Sequence, residues 1–277
     1  MASRVLVKIE GLRDPAEAAR IAEMGAEAIG LVFAPSPRRV TVEQARAVVA
    51  ALPHGVATVG VFVDAAADEI NDVAERTGIA CVQLHGDEPP EIVAQLARPC
   101  IKAFRVRDGR WADEARAWMG AARRFASVAG SAAPERAEQA PQRERAEQVP
   151  QRKRAEQAPQ RKRAEQVPPL RGFALRPPVA LLDAYDPRAA GGTGRRFNWR
   201  LVAEARAAGA AAGIGPIILA GGLDASCVGE AIRLVRPWAV DVASGVESAP
   251  GVKDLAKVEA FLRAVREADG RDGASGP

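Results

Sequence analysis

The chain has 277 residues, 48% of them hydrophobic, which is enough apolar content for one large core. The formal net charge is only +4, and the three cysteines form no CxxC pair, so neither a disulfide framework nor a zinc site is favoured. The first residues are too few and too polar for a signal peptide, and no stretch of about 18 apolar residues occurs. We therefore expect a cytoplasmic protein without a membrane span.

Short apolar runs alternate with helical patterns along the chain, beginning with a strand. The strand runs are of the kind buried on both faces, and two of the helical patterns have proline in the first turn. Eight strands and eight helices in strict alternation predict a (β/α)8 TIM barrel. In chain order, strand before helix, the predicted pairs are 5–9 and 15–24, 28–33 and 42–51, 57–63 and 66–77, 81–84 and 89–97, 101–106 and 111–126, 179–182 and 199–212, 217–220 and 225–235, and 239–242 and 255–268.

A charged repeat interrupts this alternation between the fifth helix and the sixth strand. Residues 134–169 carry nine Arg or Lys and six Glu, so most of the net charge is local and we expect no nucleic-acid partner. The nine-residue unit ERAEQAPQR at 135–143 recurs three more times with variations, and its regular prolines prevent a continuous helix. We predict a disordered insertion at 130–170 within a single barrel domain spanning 1–270, and a flexible tail at 271–277. A protein-binding arm is the less favoured alternative.

Glycine-rich segments follow three consecutive strands at the end of the chain. They contain Gly192, Thr193 and Gly194 after strand six, Gly221 and Gly222 after strand seven, and Ser244 and Gly245 after strand eight. Glycines just past strand ends let backbone N–H groups approach an anion closely. The last loops of a parallel barrel commonly hold a phosphate, and this sequence predicts such a site.

Two carboxylates, Glu10 and Asp183, lie at the predicted ends of strands one and six. Barrel active sites lie at the carboxyl ends of the strands, so these groups would face each other across the mouth. Burial and mutual repulsion can leave one protonated and the other ionised, which suits an acid–base pair. Alternatively, either carboxylate caps a helix or pairs with a nearby Arg or with Lys8.

Three further polar residues are candidates for substrate contacts at the same end. Arg38 follows strand two and could hold a carboxylate through its planar fork, or it is a surface arginine beside Arg39. His85 ends strand four, where it could act as an acid, a base or a substrate contact, or bond a neighbouring loop. Asp241 lies late in strand eight.

An ordered set of motifs resembles the phosphoribosylanthranilate isomerase family. The motifs are VKIEGL at 7–12, IGLVFAPSPRRV at 29–40, VQLHGDE at 82–88, LLDAYDPRAAGGTGRRFNW at 181–199, ILAGGL at 218–223 and VDVASGVESAPGVKD at 240–254. With shorter matches they cover the chain except the repeat and the tail. The resemblance implies an Amadori rearrangement of a phosphoribosyl substrate without metal or organic cofactor. It implies that Asp183 is the acid, that Arg38 holds the anthranilate carboxylate, and that the glycine loops hold the phosphate.

One position departs from the family pattern. The family motif is VKICGL, and its cysteine is the general base, whereas this chain has Glu10 there. Glutamate can accept a proton, so Glu10 is expected to be the base of a working enzyme. The alternative is an impaired or non-catalytic barrel that binds a phosphoribosyl ligand. A barrel like the histidine-pathway isomerase is less favoured, because that family has aspartates ending strands one and five and two similar half-barrels.

Deletion of residues 134–168 should leave the fold and activity nearly intact, because the repeat lacks core residues and joins the face opposite the predicted site. Residues 127–133 and 169–178 remain as a connection between the predicted helix at 111–126 and the predicted strand at 179–182, longer than the roughly 2–6 residues that commonly join a helix to a strand. We expect the free energy of unfolding, measured by urea denaturation, to change by less than about 1 kcal/mol, against roughly 5–15 kcal/mol for a domain. A Gly-Ser segment of equal length is the control, and a larger loss in both variants would show that the repeat packs on the barrel.

Overall fold

The computed structural model describes residues 4–131, 178–184 and 197–270, which contain a closed barrel of eight parallel strands. Each strand pairs with the next in the chain, and the eighth pairs with the first through the register Lys8 to Asp241. The predicted (β/α)8 fold is therefore confirmed. The strands are β1 Leu6–Glu10, β2 Ala28–Val32, β3 Ala57–Phe62, β4 Cys81–Leu84, β5 Cys100–Val106, β6 Val179–Ala184, β7 Ile217–Leu219 and β8 Ala239–Val242.

Helices cover the outer face of the strands and bury their apolar sides against it. Asp14 caps the first helix by accepting from the backbone N–H of Glu17, and Thr41 forms a reciprocal capping box with Gln44 at the second. Gly78 ends the third with φ of 77°, a conformation that glycine adopts at little cost. The helices are α1 Pro15–Glu23, α2 Val42–Ala51, α3 Ala67–Thr77, α4 Trp111–Ser131, α5 Arg200–Ala207, α6 Val228–Val235 and α7 Leu255–Ala268.

The predicted fourth helix was wrong, because residues 90–94 form a short 3₁₀ helix instead. Pro89 and Pro90 remove two consecutive backbone donors at its start. At its end, Asn71 of α3 donates to the carbonyl of Gln95 and accepts from the N–H of Ala97, which holds the chain out of a further helical turn. The predicted helix at 199–212 is also shorter than expected, since Gly209 turns the chain with φ of 73°.

The lumen of the barrel is filled by side chains from alternate strand positions, in layers. The lower layers are apolar and consist of Leu6, Ala28, Ala57, Val59, Cys81, Ile101, Ala103, Val179, Leu181, Ile218, Ala220 and Ala239. Because side chains alternate with a period of two, the next inward positions toward the carboxyl ends include the polar residues Lys8 and Glu10, Gln83, Arg105, Asp183 and Asp241, beside Gly30 and Val61. The apolar packing therefore ends in a polar layer at the mouth.

A short antiparallel hairpin that the sequence analysis did not predict follows β8. Its strands are β9 Glu247–Ala249 and β10 Val252–Lys253, and it is preceded by a 3₁₀ turn at Ser244–Val246. The hairpin brings Glu247 and Lys253 to the mouth of the barrel. The predicted insertion at 130–170 falls between α4 and β6 and lies almost wholly outside the described residues, as does the tail at 271–277. In the part of the chain that the structure describes, no helix is long and apolar enough to cross a membrane.

Candidate active site

Lys8 is buried in the lumen between two carboxylates. Its Nζ lies 2.6 Å from Oε2 of Glu10 and 2.8 Å from Oδ2 of Asp241, and its side chain has no exposed surface. Gly30 lies opposite Glu10 in the β1–β2 register, and a side chain there would approach Cγ of Glu10 to 2.9 Å. The missing side chain at Gly30 therefore makes room for a glutamate at position 10.

The two carboxyl groups that share Lys8 differ in their affinity for protons. Burial opposes ionisation of Glu10, but attraction by Lys8 and His85 outweighs it and lowers the pKa of Glu10 to about 2. Asp241 is more deeply enclosed, and burial raises its pKa to about 7 despite its bond to Lys8. Glu10 is therefore ionised at neutral pH, whereas Asp241 titrates close to it.

A second chain of hydrogen bonds runs across the mouth from Glu10 to Asp183. Nε2 of Gln83 lies 3.2 Å from Oε2 of Glu10 and 3.0 Å from Nδ1 of His85. Nε2 of His85 lies 3.0 Å from Oδ2 of Asp183, whose Oδ1 accepts from the N–H of Ala184 at 2.8 Å. The predicted acid and the predicted base are thus joined through two intervening side chains.

The loop that carries His85 is held by a buried ion pair outside the lumen. Lys102 donates to Oε2 of Glu88 at 2.7 Å and to the carbonyl of Gly86 at 2.6 Å. Glu88 also accepts from the backbone N–H groups of Gly86 and Asp64, and His85 donates its own N–H to the carbonyl of Phe62. The backbone of His85 is therefore fixed from two neighbouring strands.

Arg38 reaches the mouth with its guanidinium already paired. Its Nε and Nη2 donate to the two carboxylate oxygens of Glu247 at 2.8 and 2.7 Å, and Nζ of Lys253 donates to the same carboxylate at 2.9 Å. A side chain at Gly11 would lie 2.6 Å from Cδ of Arg38, so the arginine stem packs directly over that glycine. The bidentate pair fixes one edge of the guanidinium. The other edge, which carries Nη1, does not take part in the pair with Glu247.

The loops after β7 and β8 pack tightly against neighbouring backbone. A Cβ at Gly221 would lie 2.5 Å from the backbone nitrogen of Ala184, and a Cβ at Gly245 would lie 1.9 Å from the carbonyl oxygen of Leu223. Gly221 and Gly222 both have positive φ, at 80° and 65°. Gly221 and Gly245 therefore allow close approach of neighbouring backbone, while the binding of an anion by these loops stays a prediction. Gly192, Thr193 and Gly194 lie outside the described residues.

The three thiols lie away from the proton-transfer positions. Cys81 and Cys100 are buried, and burial raises the pKa of Cys81 well above its usual value and that of Cys100 to about 12. Cys227 is 3% exposed, with its sulfur against the loop after β7. A buried thiol with a raised pKa stays protonated near neutral pH and offers no thiolate to accept a proton, so neither Cys81 nor Cys100 is suited to replace the cysteine of the family motif.

The structure brings Glu10, Arg38, His85, Asp183 and Asp241 to one end of the barrel, while their catalytic and binding roles stay predictions. Sequence reasoning missed Gln83 and Glu247, which organise them, and named Lys8 only as an alternative partner of the two carboxylates. Lys8 and Gln83 are each a polar residue inside an apolar strand, two positions before a predicted site residue. Glu247 carried no comparable signal, since its partner Arg38 is remote in the chain. Among the described residues, no group of three or more His, Cys, Asp or Glu side chains is placed to hold a metal ion.

A barrel whose strand ends and loops carry facing carboxylates, a histidine and a fixed arginine is the arrangement expected of an enzyme that works by proton transfer. Comparison with known proteins identifies a family within this class. The sequence profile of the family described as N-(5′-phosphoribosyl)anthranilate (PRA) isomerase matches residues 7–121 and 139–264. An N-(5′-phosphoribosyl)anthranilate isomerase of Pseudomonas putida is 41% identical over 268 residues, covering 96% of this chain and all of that protein.

Solved structures agree with the sequence comparison. The phosphoribosyl anthranilate isomerase of Thermotoga maritima matches with a TM-score of 0.68 and 29% identity, over 95% of this chain and 99% of that one. A crystal structure of the same isomerase type in complex with reduced 1-(o-carboxyphenylamino)-1-deoxyribulose 5-phosphate matches with a TM-score of 0.65 and 29% identity, over 96% and 99%. The chain belongs to the N-(5′-phosphoribosyl)anthranilate isomerase family.

Lys8→Met should lower the free energy of unfolding by about 3–5 kcal/mol near pH 8, because Glu10 and Asp241 lose the buried cation that they share. Burial then raises the pKa of both carboxyls above their unfolded values, so the folded state binds protons more tightly than the unfolded chain. The stability of this variant should therefore increase as the pH is lowered from about 8 to 5, which urea denaturation at several pH values measures.

The control for this experiment is Lys8→Met combined with Glu10→Gln and Asp241→Asn, which removes the two charges as well as their partner. It should regain most of the lost stability and lose the pH dependence. A deficit in Lys8→Met that stays the same at every pH would mean that the lysine stem contributes packing and not charge.

Proposed function

We propose that this protein is an N-(5′-phosphoribosyl)anthranilate isomerase of tryptophan biosynthesis. It converts its substrate to 1-(2-carboxyphenylamino)-1-deoxyribulose 5-phosphate by an Amadori rearrangement, as a cytoplasmic enzyme. The observation that carries the proposal is the pair of carboxylates, Glu10 and Asp183, on separate strands at the mouth, beside glycine loops and a fixed arginine. The relative solved with a reduced product analogue belongs to the same family and fold.

Asp183 supplies the proton that opens the ribose ring. Its carboxyl gives a proton to the ring oxygen while the bond from that oxygen to C1′ breaks, and the anilino nitrogen becomes a protonated Schiff base. The carboxyl is 8% exposed, so water competes little for the proton. The hydrogen bonds from Ala184 and His85 stabilise the carboxylate that remains.

Glu10 removes the C2′ proton from the Schiff base. The electron pair of that C–H bond forms a C1′–C2′ double bond and neutralises the nitrogen, and the resulting enol tautomerises to the ketone. Glu10 is ionised and therefore able to accept a proton, but its lowered pKa makes it a weak base. The exchange of cysteine for glutamate thus keeps the function at a cost in rate.

Residues of the loops bind the substrate. Arg38 binds the anthranilate carboxylate with the guanidinium edge that Glu247 leaves exposed, and backbone N–H groups of the glycine loops bind the phosphate. His85 and Asp241 are the further substrate contacts predicted from the sequence. The alternative is a barrel that binds the ligand without turnover. It is suggested by the replacement of the family's base, and the Glu10 variants distinguish it from the proposal.

Asp183→Asn should lower kcat by about 10²–10⁴ and change KM little, because it removes the proton donor while conserving its shape. Steady-state turnover of freshly prepared substrate is the measurement. Asp87→Asn is the matched control, since Asp87 lies on the neighbouring loop with a side chain that is 94% exposed. Near-normal kcat in Asp183→Asn would assign ring protonation to another group.

Glu10→Gln should lower kcat by about 10² or more, because an amide does not accept the C2′ proton. Glu10→Cys should equal or exceed the wild type, since a thiolate is the stronger base. The kcat of the Glu10→Cys variant should rise with pH toward the thiol range, near 8.5, whereas ionisation of Glu10 limits the wild type only far into acid.

Two outcomes of the Glu10 series would contradict parts of the proposal. Turnover of Glu10→Gln at the wild-type rate would place the base on another residue. An inactive wild type together with an active Glu10→Cys variant would favour the impaired, ligand-binding alternative. Complementation of a tryptophan auxotroph that lacks the isomerase, with each of the three chains, gives the same distinction in cells.

A further inference from the structure

Gln83 occupies the centre of the hydrogen-bonded chain that joins Glu10 to Asp183. It lies on β4, fully buried, and its Nε2 contacts both Oε2 of Glu10 and Nδ1 of His85. Its Oε1 has no hydrogen-bond partner among the described residues. The amide is therefore oriented by what its nitrogen donates.

The donor and acceptor capacity of each side chain determines the direction of the hydrogen bonds that connect Glu10, Gln83 and His85. An ionised carboxylate only accepts, and Oε2 of Glu10 already accepts from Lys8, so Gln83 must turn its NH₂ group toward Glu10. The second hydrogen of the same nitrogen points along the 3.0 Å contact to Nδ1 of His85. Nδ1 is then the acceptor, and a neutral imidazole carries its hydrogen on Nε2.

The hydrogen on Nε2 of His85 is donated to Oδ2 of Asp183, while Oδ1 accepts from the N–H of Ala184. Both oxygens of Asp183 thus receive hydrogen bonds from the protein. In the opposite tautomer, Nε2 would be a bare lone pair 3.0 Å from Asp183 and would take the hydrogen of the protonated acid.

We propose that Gln83 is a positioning residue that fixes the Nε2–H tautomer of His85, so that the hydrogen of protonated Asp183 is left for the substrate. This inference rests on the proposed role of Asp183 as the acid. Gln83 itself touches no reacting atom and acts through His85. The signal VQLH at 82–85 then has a physical meaning, since Gln83 and His85 are successive inward residues of one strand.

The charged groups around His85 make this restraint necessary. They are Asp183 on β6, Glu10 and Lys8 on β1 with Asp241 beyond Lys8, and Arg105 on β5, whose Nη2 contacts the carbonyl of His85 at 3.3 Å. Burial opposes protonation of His85, but its bond to Asp183 and the attraction of Asp183 and Glu10 raise its pKa. A second hydrogen on Nδ1 would face the NH₂ group of Gln83, so Gln83 opposes the imidazolium form.

Nitrogen-15 NMR of the whole protein tests the tautomer without substrate. The chain has two histidines, and the other, His54, is exposed in the loop between α2 and β3. His54→Asn therefore assigns the signals of His85 and should not change them. In the wild type at pH 8 we expect Nε2 to be protonated and Nδ1 to be the bare acceptor. A wild-type spectrum with the proton on Nδ1 would overturn the proposal.

Two substitutions at Gln83 both remove the donor to Nδ1, and only one of them puts an acceptor in its place. Methionine at this position has a volume similar to that of glutamine but no hydrogen-bond donor. In Gln83→Met, His85 should therefore show mixed tautomers or the imidazolium form, and its titration should move to higher pH. Gln83→Glu offers only acceptors, so the proton should move to Nδ1 or occupy both nitrogens. Unchanged His85 signals in both folded variants would overturn the proposal.

Kinetics separates this inference from the proposed function. With isomerase activity present, Gln83→Met should lower kcat about two- to tenfold, the equivalent of one net hydrogen bond, and shift the pH profile of kcat while KM stays within about twofold. Unchanged kcat with altered His85 signals would overturn the catalytic part of the proposal. A wild type that fails to turn over substrate but shows the Nε2–H tautomer would instead count against the proposed function alone.

Discussion

One ammonium group, that of Lys8, is enclosed in the lumen and neutralises carboxylates from β1 and β8 at once. The lumen is closed by eight parallel strands and filled below by apolar side chains, so water replaces little of that bond, least of all at Asp241, whose side chain is 6% exposed. The orientation of Gln83, His85 and Asp183 follows from this arrangement. Glu10 is ionised because Lys8 faces it, and an ionised Glu10 turns the amide of Gln83, which in turn orients His85 toward Asp183.

In the proposed mechanism, the exchange of a cysteine for Glu10 changes more than the identity of the base. A thiolate would lie at the same strand end, but the longer glutamate extends over Gly30 and takes up the lysine that would otherwise face Asp241 alone. The same ion pair that makes burial of Glu10 tolerable also reduces its basicity. Stability of the buried charge and strength of the base therefore oppose each other at this one position.

The fold could be predicted because barrel strands are buried on both faces and read as uninterrupted apolar runs between helical patterns. The prediction of a fourth helix was wrong because two prolines and the side chain of Asn71 determine the local conformation at 89–97. Asn71 is remote from that segment in the sequence. The site residues at the strand ends could be predicted once the strands were placed, because barrel active sites lie at the carboxyl ends of the strands. The bonds of Arg38 to Glu247 could not, because they join residues 209 positions apart through a hairpin without a pattern of its own.

The proposed mechanism assigns catalysis and recognition to different parts of the molecule. The proton-transfer groups project from strands into the lumen, where a change at one position alters its neighbours through shared hydrogen bonds. Arg38, Glu247 and the glycine loops lie outside that network and are fixed by their own ion pair and by close backbone contacts. Under the proposed mechanism, a base is exchanged on β1 while the residues assigned to the two ends of the substrate are held by contacts that do not include Glu10.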